Sequence, residues 1–179
     1  MKYVALLRGI NVGGNNKVDM KQLKAAIETV GMRDVQTYIN SGNVIFTHYE
    51  APTNYLADIL RRVIQSEFRF AVDLIIKTHE EMRAIVDSLP REWQNNAEIK
   101  CDVVFLWDDH QTDELLSQLN PRNDIDDVRT APGAIVWKVD RTNVTKSGLV
   151  KIIDLPFYRQ VTIRNCNTSR KLLALMDHV

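Results

Sequence analysis

The chain predicts an α+β fold of two ferredoxin-like units, each βαββαβ, with antiparallel sheets whose helices pack on one face. Three observations carry this. Short β-branched runs alternate with one-face amphipathic stretches in the order βαββαβ plus a trailing helix over the first ninety residues. The second half repeats the order. The two halves also end alike: Val72-Asp73-Leu74-Ile75-Ile76-Lys77-Thr78 and Val161-Thr162-Ile163-Arg164-Asn165-Cys166-Asn167 each lead into a helix. A length of 179 residues suits two small domains, placed at 1–90 and 91–179 with the join in Pro90–Lys100.

In the first half, Tyr3–Leu7 reads as a strand that is apolar on both faces. Asp19 caps the next helix, with Gln22 as its capping-box partner. Met20, Leu23, Ala26, Ile27 and Val30 recur at helical spacing, and Gly31 marks the stop. Val35–Ile39 and Val44–Phe46 flank Asn40-Ser41-Gly42-Asn43, which reads as a hairpin turn. Leu56, Ile59, Leu60, Val63 and Ile64 form one apolar helix face, and Val72–Ile76 the next strand. Thr78-His79-Glu80-Glu81 then opens a helix that Pro90 ends.

In the second half, Cys101–Trp107 is a strand, and Thr112 caps a short helix carrying Leu115, Leu116 and Leu119. Val128–Thr130 and Ile135–Val139 flank Ala131-Pro132-Gly133-Ala134, where Pro followed by Gly suits a tight turn. A helix around Ser147–Ile153, a strand Val161–Ile163 and a final helix complete the pattern.

Composition places the chain among globular proteins, with 45% hydrophobic and 26% charged residues. Zero net charge argues against coating nucleic acid by bulk electrostatics. The charge is uneven: residues 102–127 hold eight acids and one base, whereas 138–171 hold eight bases and two acids. This reads as solvated faces that attract each other. Two cysteines make no disulfide framework, and no apolar run suits a signal peptide or membrane span. A cytoplasmic protein is therefore expected.

The candidate site is the ten-residue loop after the first strand, edged by Arg8 and Lys17. It exceeds the usual connection of about two to six residues. Glycine and asparagine reach positive φ with little penalty, so Gly13 and Gly14 can expose backbone N–H groups beside a helix start, a seat for an anion. In the antiparallel strand order 4-1-3-2, this loop meets the Asn40–Asn43 turn. The rim so gathered holds Arg8, Asn11, Gly13, Gly14, Asn15, Asn16, Lys17, Asn40, Ser41 and Asn43. The same amides could equally serve only to satisfy their own loops. A second basic patch is expected where Arg141 and Lys146 approach Arg164, Asn165 and Asn167, with helix capping as the alternative duty of the last residues.

Other chemistry finds little support. Gly-Gly-Asn-Asn-Lys lacks the P-loop spacing. His48, His79, His110 and His178 lie on separate elements, and Asp108-Asp109-His110 is three successive residues, so no metal site and no cofactor are predicted. Cys166 beside Arg164 reads as a buried thiol rather than a nucleophile. Tyr3 and Phe46 lack the flanking pattern of an RNA-stacking sheet and read as core between the units.

The segments Tyr3–Gly14, Thr37–Phe46 and Thr162–Thr168 closely resemble the bacterial family called domain of unknown function 1697, over essentially the whole chain. The resemblance implies a cytoplasmic α+β protein with a ferredoxin-like first part, and supplies no activity. It sets Cys166 where many members carry Trp, and Thr145-Lys146 where they tend to show Ser-Lys.

The leading expectation is a protein that binds an anionic ligand at the rim, either a phosphorylated small molecule or single-stranded nucleic acid. A small enzyme acting on such a ligand, with Lys17 or Lys146 as electrophilic support, and a protein–protein adaptor are the alternatives.

Overall fold

The computed structural model describes residues 1–14, 16–107 and 112–178. It divides into two compact units, Met1–Glu80 with Leu172–Val179, and Glu81–Lys171. The first runs β1 (Lys2–Leu7), α1 (Met20–Glu28), β2 (Arg33–Tyr38), β3 (Asn43–Thr47), α2 (Thr53–Phe68) and β4 (Leu74–Thr78), with α3 (His79–Asp87) following directly. Its sheet order is β2-β3-β1-β4, antiparallel throughout, which is the ferredoxin-like arrangement.

Strand alternation sends Tyr3, Ala5 and Leu7 into one core with Leu23, Ile27, Leu56 and Leu60 of α1 and α2. Val4 and Leu6, on the opposite face, are equally buried. Tyr3 pairs across strands with Phe46, their rings stacked at 5.5 Å. Its hydroxyl accepts the Ala51 N–H at 3.1 Å, which offsets the cost of burying it. Both aromatics thus belong to the helix-side core of the first unit, not to a core between units. Their rings give RNA no platform.

Asp19 caps α1 as expected, accepting from the N–H groups of Lys21 and Gln22 at 2.9 Å each. The capping box is not completed, because the Gln22 amide donates to Glu67 instead, at 2.7 Å. Gly31 follows the helix at φ 88°, the left-handed conformation that ends it.

The second unit runs β5 (Ile99–Leu106), α4 (Thr112–Leu119), β6 (Asp126–Ala131), β7 (Ala134–Asp140) and β8 (Val161–Asn165), in the sheet order β6-β7-β5-β8, and α5 (Cys166–His178) starts in it and enters the first unit at Leu172. The predicted helix around Ser147–Ile153 is replaced. Between β7 and β8 lie three short 3₁₀ helices, Arg141–Lys146, Gly148–Asp154 and Pro156–Gln160. The local reason is visible: Ser147 turns its hydroxyl back to accept the Leu149 N–H, and the β-branched Thr142, Val144, Thr145, Val150, Ile152 and Ile153 resist a long α-helix. Gly148 approaches the backbone of α4 so closely that an added Cβ would lie 2.6 Å from the Leu119 carbonyl oxygen. This close approach holds the irregular segment in place.

That segment packs Leu149 and Ile152 against Val104, Leu106, Trp137, Leu115 and Leu119. Among the described residues, no helix is long and apolar enough to cross a membrane.

Candidate functional site

The Arg8–Lys17 loop and the Asn40–Asn43 turn meet, because β1 and β3 are antiparallel neighbours and their ends share one edge. The Leu7 N–H donates to the Gly42 carbonyl at 2.7 Å, and Asn11 Nδ2 donates to the Asn40 carbonyl at 3.0 Å. Asn11 organises the loop. Its amide also donates to the Val18 carbonyl at 3.0 Å, and its Oδ1 accepts the Val18 N–H at 2.8 Å. Asn16 closes the loop from the other side, donating to the Gly9 carbonyl at 3.1 Å. Asn43 is fully buried and donates to the Tyr38 carbonyl and to Ser41 Oγ. Asn11, Asn16 and Asn43 therefore have structural duties. Gly13, Gly14, Lys17 and Asn40 are exposed, Arg8 and Ser41 half-buried; Asn15 lies outside the described residues.

The backbone of this rim is unusual. Gly9, Gly13, Gly14 and Gly42 have positive φ, and so do Asn11, Asn16 and the β-branched Ile39 at 50°. Nothing lies within 4 Å of a Cβ built on Gly13 or Gly14, so their conformation is not imposed by packing. Beside them a cleft of about 490 Å³ is lined by Asn11, Gly14, Lys17, Asp19, Met20 and Asn40. The start of α1 is already filled by the Asp19 carboxylate. An anion here would face Lys17 and the loop backbone rather than the helix axis.

The second patch is only partly assembled. Arg141 and Asn167 meet through one loop: Arg141 Nε donates to the Asn96 carbonyl at 2.6 Å, and Asn167 Nδ2 to the Asn95 carbonyl at 2.8 Å. Asn165 caps α5 by accepting the Thr168 N–H at 2.8 Å. Arg164 points away, because strand alternation sets it opposite Ile163 and Asn165. It is buried, and donates to Thr162 Oγ1 and the Ile163 carbonyl at 2.9 Å each; burial lowers its pKa to about 10. Lys146 is exposed, at the end of the first 3₁₀ helix.

Cys101 and Cys166 are both buried and unbridged. The Cys101 thiol hydrogen bond and the Arg170 guanidinium pull Cys166 down to about 7 against the opposing effect of burial; the same thiol bond pushes Cys101 up. The cation near Cys166 is thus Arg170, not Arg164. Of the histidines, His110 lies outside the described residues, with Asp108 and Asp109.

Sequence reasoning missed two polar groups. One is Asp126, whose carboxylate serves Trp137, Gly148 and Arg122. The other is the Lys100–Asp102 ion pair at 2.6 Å, on the helix-side face of β5. The signal was present: two ionisable residues at alternate positions on the same face as Val104 and Leu106, which are core.

The chain is similar over its length to a solved structure, the conserved bacterial protein SP0830 from Streptococcus pneumoniae. The two share 28% identity and a TM-score of 0.82, with 98% of each chain covered. None of the curated proteins matches the chain. A family model described as Protein of unknown function (DUF1697) matches residues 1–137. Extending over more than half of the sequence, that match assigns the chain to the DUF1697 family.

Proposed function

We propose that this protein binds a small phosphorylated molecule at the Arg8–Lys17 rim. One observation carries the reading: left-handed backbone is concentrated there, including an exposed Ile39, with no packing that demands it at Gly13 or Gly14. Glycine and asparagine adopt this backbone at little cost, so the strain lies at Ile39, and strain of that kind clusters at ligand-binding sites. Asn11 and Asn16 fix that geometry through their own hydrogen bonds, so little ordering cost remains on binding. A small ligand is favoured over a nucleic-acid strand because the rim supplies only Arg8 and Lys17 as bases. The buried Tyr3 and Phe46 also offer no stacking surface.

Titration with a nucleotide panel and a labelled single strand at two salt concentrations tests this. A nucleotide should bind with a shallow salt response, and Lys17→Ala should weaken it about tenfold with unchanged stability, since an exposed lysine contributes little to folding. Lys17 is the clean probe, because its side chain is exposed whereas Arg8 is half-buried. Tighter binding of the strand with a steep salt slope would replace the small ligand with nucleic acid. No binding of either at millimolar concentration would remove the anion-site reading.

A further inference from the structure

In the first unit, the face of β1 turned to the helices is wholly apolar (Tyr3, Ala5, Leu7) and α2 covers the sheet with sixteen residues of regular helix. The second unit departs from this in two places at once. The 3₁₀ run stands where the second helix would be, and β5 places Lys100 and Asp102 on the face that holds Val104 and Leu106 in the core. Asp102 is 5% exposed and Lys100 half-buried, so the ion pair carries a desolvation cost that apolar residues would avoid. Between sheet and 3₁₀ run lies a cavity of about 470 Å³, the size of a small-molecule site.

Its chemistry is graded. One end is aliphatic, with Leu149, Ile152 and Ile163, while Val139 stands opposite Lys100 in the β5–β7 register. Its lip carries Val150 and Ile153, 46% and 62% exposed, which are apolar surfaces an occupant would cover. The other end holds Lys100, Asp102, Asn165 and Arg141. Asn165 stands directly opposite Asp102 in the β5–β8 register. Its Oδ1 is committed to the Thr168 N–H, which leaves its Nδ2 as a donor. Arg141 is fixed at this end by bonds to the Asn96 carbonyl and, at 3.2 Å, to Asn95 Oδ1, with the rest of its donor fork uncommitted to either.

From this we infer a second ligand site, for a small organic carboxylate with an apolar body. The polar end presents donors and a net single positive charge, since Lys100 and Arg141 face one carboxylate. A monoanion neutralises it; a phosphate dianion would leave excess negative charge beside buried Asp102. The body lies on the aliphatic wall beneath Val150 and Ile153. This site is separate from the rim and does not depend on the reading given to it.

The test is amide NMR titration of the full chain with 3-phenylpropionate, 3-phenylpropanol and inorganic phosphate. The acid should give saturable shifts confined to Lys100–Asp102, Leu149–Ile153 and Asn165. The alcohol, and the acid against Arg141→Gln, should bind about tenfold more weakly, the loss of a charge-assisted hydrogen bond. Val150→Trp, a change at the exposed lip, should block both compounds, whereas Lys17→Ala should leave them unaffected. Absence of saturable shifts at millimolar concentration, or shifts indifferent to Val150→Trp, would overturn the site. Equal binding of acid and alcohol, or tighter binding of phosphate, would overturn the assignment of a carboxylate.

Discussion

The Trp137 indole N–H donates to Asp126 Oδ1 at 3.1 Å, joining β7 to the first residue of β6 inside the second unit. The same carboxylate accepts the backbone N–H groups of Gly148 at 3.0 Å and Arg122 at 2.8 Å. One side chain thus ties the tryptophan at the core, the turn before β6 and the start of the second 3₁₀ helix. Asp126→Ala leaves those donors unpaired and should lower stability by about 3 kcal/mol, read from urea unfolding.

The pH dependence follows from the same bonds. Burial raises the pKa of Asp126, but hydrogen bonds from Ser147, Arg122, Gly148 and Trp137 outweigh it, and the net shift is downward. A carboxyl depressed in the fold contributes stability that is present above its unfolded value, near 3.9 as a reference. That stability is lost as pH falls through the folded value. Asp126→Asn should therefore flatten the acid limb of the unfolding profile. An unchanged limb would assign acid sensitivity elsewhere.

Glycines at the rim should separate by role. A Cβ on Gly42 would meet Leu7 Cβ at 2.7 Å and Ile10 Cδ1 at 2.9 Å, at φ 80°. Gly42→Ala should cost about 3 kcal/mol from overpacking and strain together. Gly13→Ala or Gly14→Ala meets open space and should cost only about 1 kcal/mol. Chemical unfolding of the three variants decides; equal losses would mean that Gly13 and Gly14 serve packing.

Ile39 holds a β-branched side chain at φ 50° while half exposed. Asparagine tolerates this region, so Ile39→Asn should stabilise the protein by about 1 kcal/mol. Thermal unfolding measures it. A stable variant with weakened nucleotide binding would mark the strain as functional.

The thiols should be inert in the native state. Cys166 has thiolate character, but both cysteines are fully buried, and alkylation requires access as well as ionisation. Iodoacetamide followed by mass spectrometry should find no adduct before unfolding and two after it. Rapid native labelling of Cys166 would show that α5 opens at its start.

Strand periodicity, the caps and the Pro132-Gly133 turn made both ferredoxin-like units legible in the sequence, and the antiparallel strand order then brought Asn11 to Asn40. These features are local: a residue's own conformational preferences and its next neighbours decide them, and sheet pairing follows from connection lengths. Tertiary structure decided the rest, with local preference contributing only to the 3₁₀ run. The Ser147–Ile153 stretch has helical spacing, yet the contact of Gly148 with α4 and the bonds of Asp126 hold it as 3₁₀ turns. Arg164 looked like a partner for Arg141 in sequence, and strand alternation turned it to the other face. Lys100 and Asp102 form a partly buried pair, with Asp102 buried and Lys100 half-buried, where that 3₁₀ run leaves space over β5. Burial and pairing of a charge depend on what lies across space, and no local pattern encodes that.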